Sequence, residues 1–274
     1  MLAGSGRFPL LFAAEARRMD VPVVALGIKD VTDPALEGLA GKVQYFPLGQ
    51  LSKPIAALKA AGVRRAVMVG KVQHVSLFGG VMPDLRAIKV MASLKDKRTD
   101  TILRAVADEF AKDGIELLSS ATFLSHLLVP EGPLTRRRPS PAELADMRLG
   151  WAAAKAVAGF DIGQTVVVGQ GAVVAVEAME GTDAAMLRAR DLARSHGQEA
   201  VLTVVKVAKP RQDLRFDIPV LGLDTLQVCA EAGVRALAVE ARATIIFDKD
   251  EFLRQADGQG LAILGVPAGG LEPT

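Results

Sequence analysis

The chain has 274 residues, a formal net charge of +2 at pH 7, and 50% apolar residues. That length exceeds one ordinary core and suits two. The near-zero net charge excludes a general nucleic-acid footprint, and the single cysteine, Cys229, excludes an internal disulfide and suits a reducing compartment. No apolar run reaches the roughly 18 residues of a membrane-spanning helix. Met1–Pro9 lacks a basic stretch followed by a long apolar core, so no secretory signal is expected. The expectation is a cytoplasmic protein, free to touch a membrane surface.

The first half alternates strand and helix patterns. Met1–Ala3 is a strand stub, and Gly4-Ser-Gly6 turns into a helix through Met19. Pro22–Ile28 reads as a buried strand and Gln44–Phe46 as a short one. Ser52 is expected to cap a helix to Ala61, and Arg65–Val69 is a strand closed by Gly70. Helical patterns follow near Asp84–Leu94 and Thr99–Lys112; in the second, Ile102, Leu103, Val106 and Phe110 share one face. Ile115–Leu118 is a further strand. This order predicts a Rossmann-like parallel sheet covered by helices.

The run Val129–Pro139 holds several prolines and a glycine and reads as a linker. Ser140-Pro-Ala-Glu143 has the form of a capping box, opening a helix to about Ala158. Gln164–Val168 and Ala172–Val176 are apolar strands joined by Gly169-Gln-Gly171, a tight hairpin. A helix at Asp183–Ser195 and a strand at Ala200–Val205 follow. The fold class expected is α/β: a Rossmann-like domain over 1–128, a linker over 129–139, and an α/β domain with a mixed sheet over 140–274.

Two segments carry the chemistry. Lys206–Gly222 crowds Lys206, Lys209, Arg211, Gln212, Asp213, Arg215 and Asp217 ahead of an apolar run broken by Pro219. Lysine and arginine suit anionic phosphate; aspartate suits a divalent cation or a water nucleophile. Ala175–Asp183 places Glu177, Glu180 and Asp183 after an apolar strand, where Asp183 also fits a plain helix cap. Together they point to a phosphorylated ligand, with a metal.

Other motifs are weaker. Gly4-Ser-Gly6 suits a phosphate near a helix N-terminus, but Pro9 stands where a dinucleotide fingerprint needs its third glycine. Lys71, after Gly70, ends a parallel strand, the side where ligands collect in such sheets. Arg98-Thr-Asp100 reads as a helix cap before it reads as catalytic. His74, His126 and His196 share no metal-ligand spacing. Cys229 lies among apolar helix neighbours and reads as a buried, inert thiol. Arg136-Arg-Arg138 is a solvated run that also suits anionic lipid.

The runs Ala175-Val-Glu-Ala-Met-Glu-Gly-Thr-Asp183 and Lys209-Pro-Arg-Gln-Asp-Leu-Arg-Phe-Asp-Ile-Pro219, with Gly222 and Thr225 beyond, resemble the LpxI family of UDP-2,3-diacylglucosamine pyrophosphatases of lipid A biosynthesis. The likeness covers nearly the whole chain. It departs at the start, where the first strand is cut to Met1–Ala3. The resemblance implies two domains with the lipid product held between them. It implies Mg²⁺-dependent cleavage of UDP-2,3-diacylglucosamine to UMP and 2,3-diacylglucosamine 1-phosphate, with attack at the nucleotide-distal phosphorus. The aspartate such enzymes need falls, by its Arg-x-Asp-x-Pro setting, on Asp217.

The resulting expectations are concrete. Asp217 binds the metal or orients the water, and Glu180, Asp183 and Asp213 are further candidates for Mg²⁺ (or Mn²⁺). Gly4, Gly6, Lys71, Thr182, Lys206, Lys209, Gln212, Arg215 and Thr225 are candidates for substrate binding. The partners expected are a lipid-linked UDP-sugar and the cytoplasmic face of the inner membrane in peripheral contact. A homodimer is compatible with the sequence, and nucleic acid is not a partner. Two rival readings stand beside this one: a nucleotide-dependent oxidoreductase or transferase, which Pro9 disfavours, and a non-catalytic lipid or nucleotide binding protein.

Overall fold

The computed structural model of the chain describes residues 1–72, 83–94, 99–195, 201–210, 212–216 and 218–272, with the side chains of 99 and 100 left aside. His74, Arg98, His196, Arg211 and Asp217 lie outside the described residues. Two compact units form: Met1–Ser125 with the short segment Asp213–Asp217, and His126–Gln212 with Ile218–Thr274.

In the first unit the elements run β1 (Leu2–Ala3), α1 (Phe8–Arg18), β2 (Val24–Ile28), a 3₁₀ turn (Pro34–Gly38), β3 (Lys42–Phe46), α2 (Ser52–Ala60), β4 (Arg65–Val69), α3 (Leu85–Ala92), α4 (Thr99–Lys112) and β5 (Glu116–Leu118). The strands form one sheet in the order β3-β2-β1-β4-β5, and every pairing is parallel. This is the Rossmann-like sheet that the alternating pattern predicts. The order reverses at β1, so the loops after β1 and β4 lie side by side at the switch point. The core is built from Leu26, Ile55, Leu58, Ala107, Phe110 and Leu117, and Phe216 packs against it.

One cap differs from expectation. Ser52 is already helical and supplies no cap; Leu51 precedes it without a side-chain bond. The amides of Leu51 and Ser52 donate instead to Asp84 Oδ2, at 2.9 and 2.7 Å. Asp84 also caps its own helix α3, accepting from Ala87 N at 2.8 Å.

The second unit holds β6 (Gly132–Pro133), α5 (Pro141–Gly159), β7 (Thr165–Gly169), β8 (Ala172–Val176), α6 (Thr182–Ser195), β9 (Leu202–Lys206), β10 (Val220–Leu221), α7 (Leu223–Ala232), β11 (Val234–Glu240), β12 (Ile245–Ile246), α8 (Lys249–Gly258) and β13 (Ala262–Val266). Six strands form a mixed sheet in the order β6-β13-β11-β9-β7-β8. Its centre, β13-β11-β9, is parallel; β6, β7 and β8 run antiparallel to their neighbours. Strand residues alternate between two cores. Val167 and Val204 join Met186, Leu226 and Phe252 of α6–α8 on one face. Val166, Val168 and Val205 join Met147, Trp151 and Ala154 of α5 on the other. Gly150 lets α5 approach that second face, since a Cβ there would lie 2.5 Å from Val205 Cγ2.

The expected capping box is present: Ser140 Oγ accepts from Glu143 N, and Glu143 Oε2 accepts from Ser140 N. The β7–β8 hairpin turns on Gln170 and Gly171, both with positive φ, as a two-residue turn requires. Val129–Pro139, expected as a linker, carries edge strand β6. It is bonded into the second unit through Thr135 Oγ1, which accepts from Ile263 N, and Arg136 N, which donates to Asp257. Proline fits there because an edge strand needs partners on one side only. Cys229 is buried, as expected, and burial followed by the charge of Asp183 raises its thiol pKa to about 12.

Candidate active site

Carboxyl ends of parallel strands are where α/β sheets bind ligands. In the second unit, β9 ends at Lys206 and β11 at Glu240. Antiparallel β7 begins there, with Thr165 opposite Lys206, and β8 returns to the same rim just before Glu177. Lys206 is 6% exposed and Glu177 8%. The Lys206 ammonium donates to Thr182 Oγ1 at 2.7 Å, and the Thr182 hydroxyl donates to Glu177 Oε1 at 2.8 Å. Thr165 Oγ1 lies 3.2 Å from the same hydroxyl, and Glu177 Oε2 accepts from Gln164 N at 3.1 Å.

A buried ammonium and a buried carboxylate are thus joined through one threonine hydroxyl. Isolated burial of either charge would be costly, and the hydroxyl bridge offsets that cost. Thr182 is also the first residue of α6, whose leading N–H groups form the positive end of the helix dipole. The rim therefore presents an ammonium, hydroxyls and a helix N-terminus together, a set suited to phosphate oxygens. Next along the chain, Lys209 Nζ pairs with Asp161 at 2.6 Å, and Lys209 N donates to Gln212 Oε1 at 2.8 Å. Gln212 N returns a bond to Lys209 O at 2.9 Å, so the two form a closed turn.

The remaining expected residues have local partners of their own. Glu180 accepts from Ala178 N and from Arg188, at 3.0 and 2.6 Å. Its own backbone N–H and then Arg188 hold its carboxyl below the usual range. Asp183 is exposed in the first turn of α6. Thr225 Oγ1 accepts from Gly222 N at 3.3 Å, a role in starting α7.

Asp213 and Arg215 belong to the first unit. Arg215 Nε and Nη2 grip the two oxygens of Asp213 at 2.9 and 2.7 Å, while its guanidinium lies over Phe216, 4.8 Å from the ring centre. This fork is the main reason the Asp213 carboxyl titrates below the ordinary range. Leu214 O accepts from Ser120 N at 2.7 Å, anchoring the segment beyond the end of β5.

At the first sheet's switch point two glycine loops are zipped together. Ser5 N donates to Lys71 O at 2.8 Å, Lys71 N to Ser5 O at 3.0 Å, and Ser5 Oγ to Lys71 O at 2.9 Å. A Cβ on Gly4 would lie 2.6 Å from Lys71 O, and one on Gly70 2.7 Å from Ser5 O, so only glycine allows the approach. Gly6 and Lys71 are exposed at this rim.

Glu240 and Lys155 were missed by sequence reasoning. Glu240 Oε2 accepts from Lys155 Nζ at 2.6 Å and from Ala208 N at 2.7 Å. A carboxylate closing the apolar run Val234–Val239 was the available signal for Glu240. Lys155, among alanines on α5, offered none.

The LpxI N-terminal domain model matches residues 1–127, and the LpxI C-terminal domain model matches residues 130–264. The chain belongs to the LpxI family. A relative from Caulobacter vibrioides, named UDP-2,3-diacylglucosamine pyrophosphatase LpxI, is 32% identical over 272 residues, covering 97% of this chain and 96% of its own length. LpxI membership makes the chain a hydrolase and sets aside both the oxidoreductase or transferase reading and the non-catalytic one.

The expectation of Mg²⁺-dependent hydrolysis needs correction. The relative's name supports the hydrolysis and states no metal dependence. Among the described residues, no group of three or more His, Cys, Asp or Glu side chains is arranged to hold an ion. Glu180 faces Arg188 and Asp213 faces Arg215, so these carboxylates are engaged by arginine. Enzymes acting on diphosphates are of a kind that can use a divalent metal. Among the described residues, no helix is long and apolar enough to cross a membrane.

Proposed function

We propose that this chain hydrolyses UDP-2,3-diacylglucosamine to UMP and 2,3-diacylglucosamine 1-phosphate, a step of lipid A biosynthesis. The observation that carries the reading is the end-to-end match to the Caulobacter vibrioides pyrophosphatase. Water adds to the nucleotide-distal phosphorus, the bond to the bridging oxygen breaks, and UMP departs with that oxygen. Such a transfer depends on positioning and charge stabilisation more than on a covalent protein group.

In this reading Asp217 orients the attacking water. Lys206, Lys209 and Gln212 hold phosphate oxygens, with Thr182 presenting the N-terminus of α6. Arg215 lends positive charge beside Asp213, and Thr225 contributes at the start of α7. Gly4, Gly6 and Lys71, at the rim of the first sheet, are further candidates for substrate contact. The enzyme works in the cytoplasm, as a homodimer touching the inner membrane peripherally to reach its lipid substrate.

The test is direct. Purified protein is incubated with UDP-2,3-diacylglucosamine in ¹⁸O-labelled water, with divalent cations supplied so that a metal requirement does not decide the outcome. UMP should appear without label and the lipid phosphate with one labelled oxygen. No release of UMP overturns the reaction; label in UMP overturns the site of attack.

A further inference from the structure

We propose that Lys155 and Glu240 are a positioning pair that fixes the backbone where β9 leaves the sheet and so sets the places of Lys206 and Lys209. The proposal rests on the phosphate-holding role given above to those two lysines. Its basis is what happens to the ladder at that point. Lys206 is the last residue of β9 paired with β11, opposite Val239. On the other side Val207 N still reaches Gln164 O at 2.9 Å. At Ala208 side chains take over. Ala208 N donates to Glu240 Oε2 at 2.7 Å, Lys155 Nζ donates to Ala208 O at 3.0 Å, and the same ammonium meets Glu240 Oε2 at 2.6 Å.

Both backbone groups of a buried residue are thus held by one ion pair. Ala208 is 2% exposed and Glu240 5%, and the Lys155 ammonium lies 5.3 Å from the Trp151 ring centre. A buried ion pair contributes little net stability compared with apolar residues of the same volume. What this one supplies is location. Lys206 lies two residues before the clamped amide and Lys209 one after it, so a shift at Ala208 moves both ammonium groups. Misplacement of about 1 Å costs a catalytic site roughly 10²-fold.

The experiment uses the full chain and the variants Glu240→Ala, Glu240→Gln, Lys155→Met, and Lys155→Met with Glu240→Gln. Each is measured for kcat, KM, thermal midpoint and hydrogen exchange at the Ala208 amide. Glu240→Ala should lower kcat/KM by about 10²-fold, largely through KM, and speed exchange at Ala208. Glu240→Gln keeps an oxygen for that amide and should recover most of the loss. The double variant removes both charges together and leaves no unpaired buried charge, so it should fold where a single variant fails; it should keep Ala208 protected and lose less than Lys155→Met alone.

Wild-type kcat/KM in folded Glu240→Ala overturns the proposal. So does unchanged exchange at Ala208, or a loss in Glu240→Gln as large as in Glu240→Ala. If the wild type itself releases no UMP, the reaction reading fails, and the exchange measurements still decide whether the clamp exists.

Discussion

The two sheets end in rims built on opposite principles. In the first unit the rim is backbone: Gly4 and Gly70 let two loops meet through main-chain bonds, and the adjacent Lys71 side chain is exposed. In the second unit the rim is side chain: Lys206, Thr182, Glu177 and Thr165 are cross-bonded, and Glu240 with Lys155 holds Ala208 two residues after Lys206. A backbone rim involves little desolvation and tolerates varied polar ligands. A rim of buried charges must already be in place when substrate arrives, and that is the condition under which charge stabilisation is strongest. Under the proposed function, the second rim would then carry the charge stabilisation and the first the looser contacts.

The largest test of this contrast replaces one lysine on each rim. Lys206→Met should reduce kcat/KM for UMP release by about 10²-fold or more, the size of losing one preorganised donor. Lys71→Met should cost less than about tenfold, because an exposed lysine contributes weakly in water. Equal losses would break the contrast. Asp217→Ala should also lower kcat by about 10²-fold, the range for a positioned general base, with little change in thermal midpoint. A folded variant with normal kcat would remove Asp217 from the mechanism.

A smaller effect is expected on folding. Glu177→Ala leaves the Thr182 hydroxyl and Gln164 N without their acceptor and Lys206 without its bridged counter-charge. The second unit should lose about 2–4 kcal/mol, read as a lower denaturation midpoint with unchanged m-value. A loss below about 0.5 kcal/mol would mean the rim is not preorganised.

What the sequence made legible was local. The capping box Ser140–Glu143, the hairpin at Gly169–Gly171 and the glycine loops each fall within a few residues, where spacing and geometry are directly coupled. The alternating order of elements was enough for the first sheet, and the hairpin with the strands after it for a mixed second one. Long-range side-chain choices were not legible. Asp84 caps α2 from more than thirty positions away, and Glu240 reaches Ala208 across a similar gap. Nor was the pairing inside the charge-rich run legible: Asp213 and Arg215 stood out as separate candidates, for metal and for phosphate, and two residues apart they bond each other. Proline density in Val129–Pro139 signalled an irregular segment but not that an edge strand could absorb it.

The smallest predicted effect lies in the first unit and concerns acid. Burial alone would raise the Asp84 carboxyl, but the amides of Ala87, Ser52 and Leu51, with the Ser52 hydroxyl, outweigh it and hold the group below its ordinary value. A carboxyl with a depressed native pKa contributes stability that is complete above its unfolded pKa and is lost as pH falls through the native one. Asp84→Ala should therefore lower the stability of the first unit by about 1–2 kcal/mol at neutral pH, the cost of a lost helix cap. Below about pH 4, the usual aspartate range, the gap between variant and wild type should narrow, because the unfolded carboxyl takes up its proton before the native one and the charge-dependent part of the cap is lost. Asp84→Asn keeps an acceptor oxygen for one helix and should fall between the two, with no acid-dependent change of its own. Denaturant midpoints taken at pH 7 and in the acid range read all of this. A gap that stays constant on acidification would mean the three amides do not favour the charged form, and the shared cap would then be a contact of geometry alone.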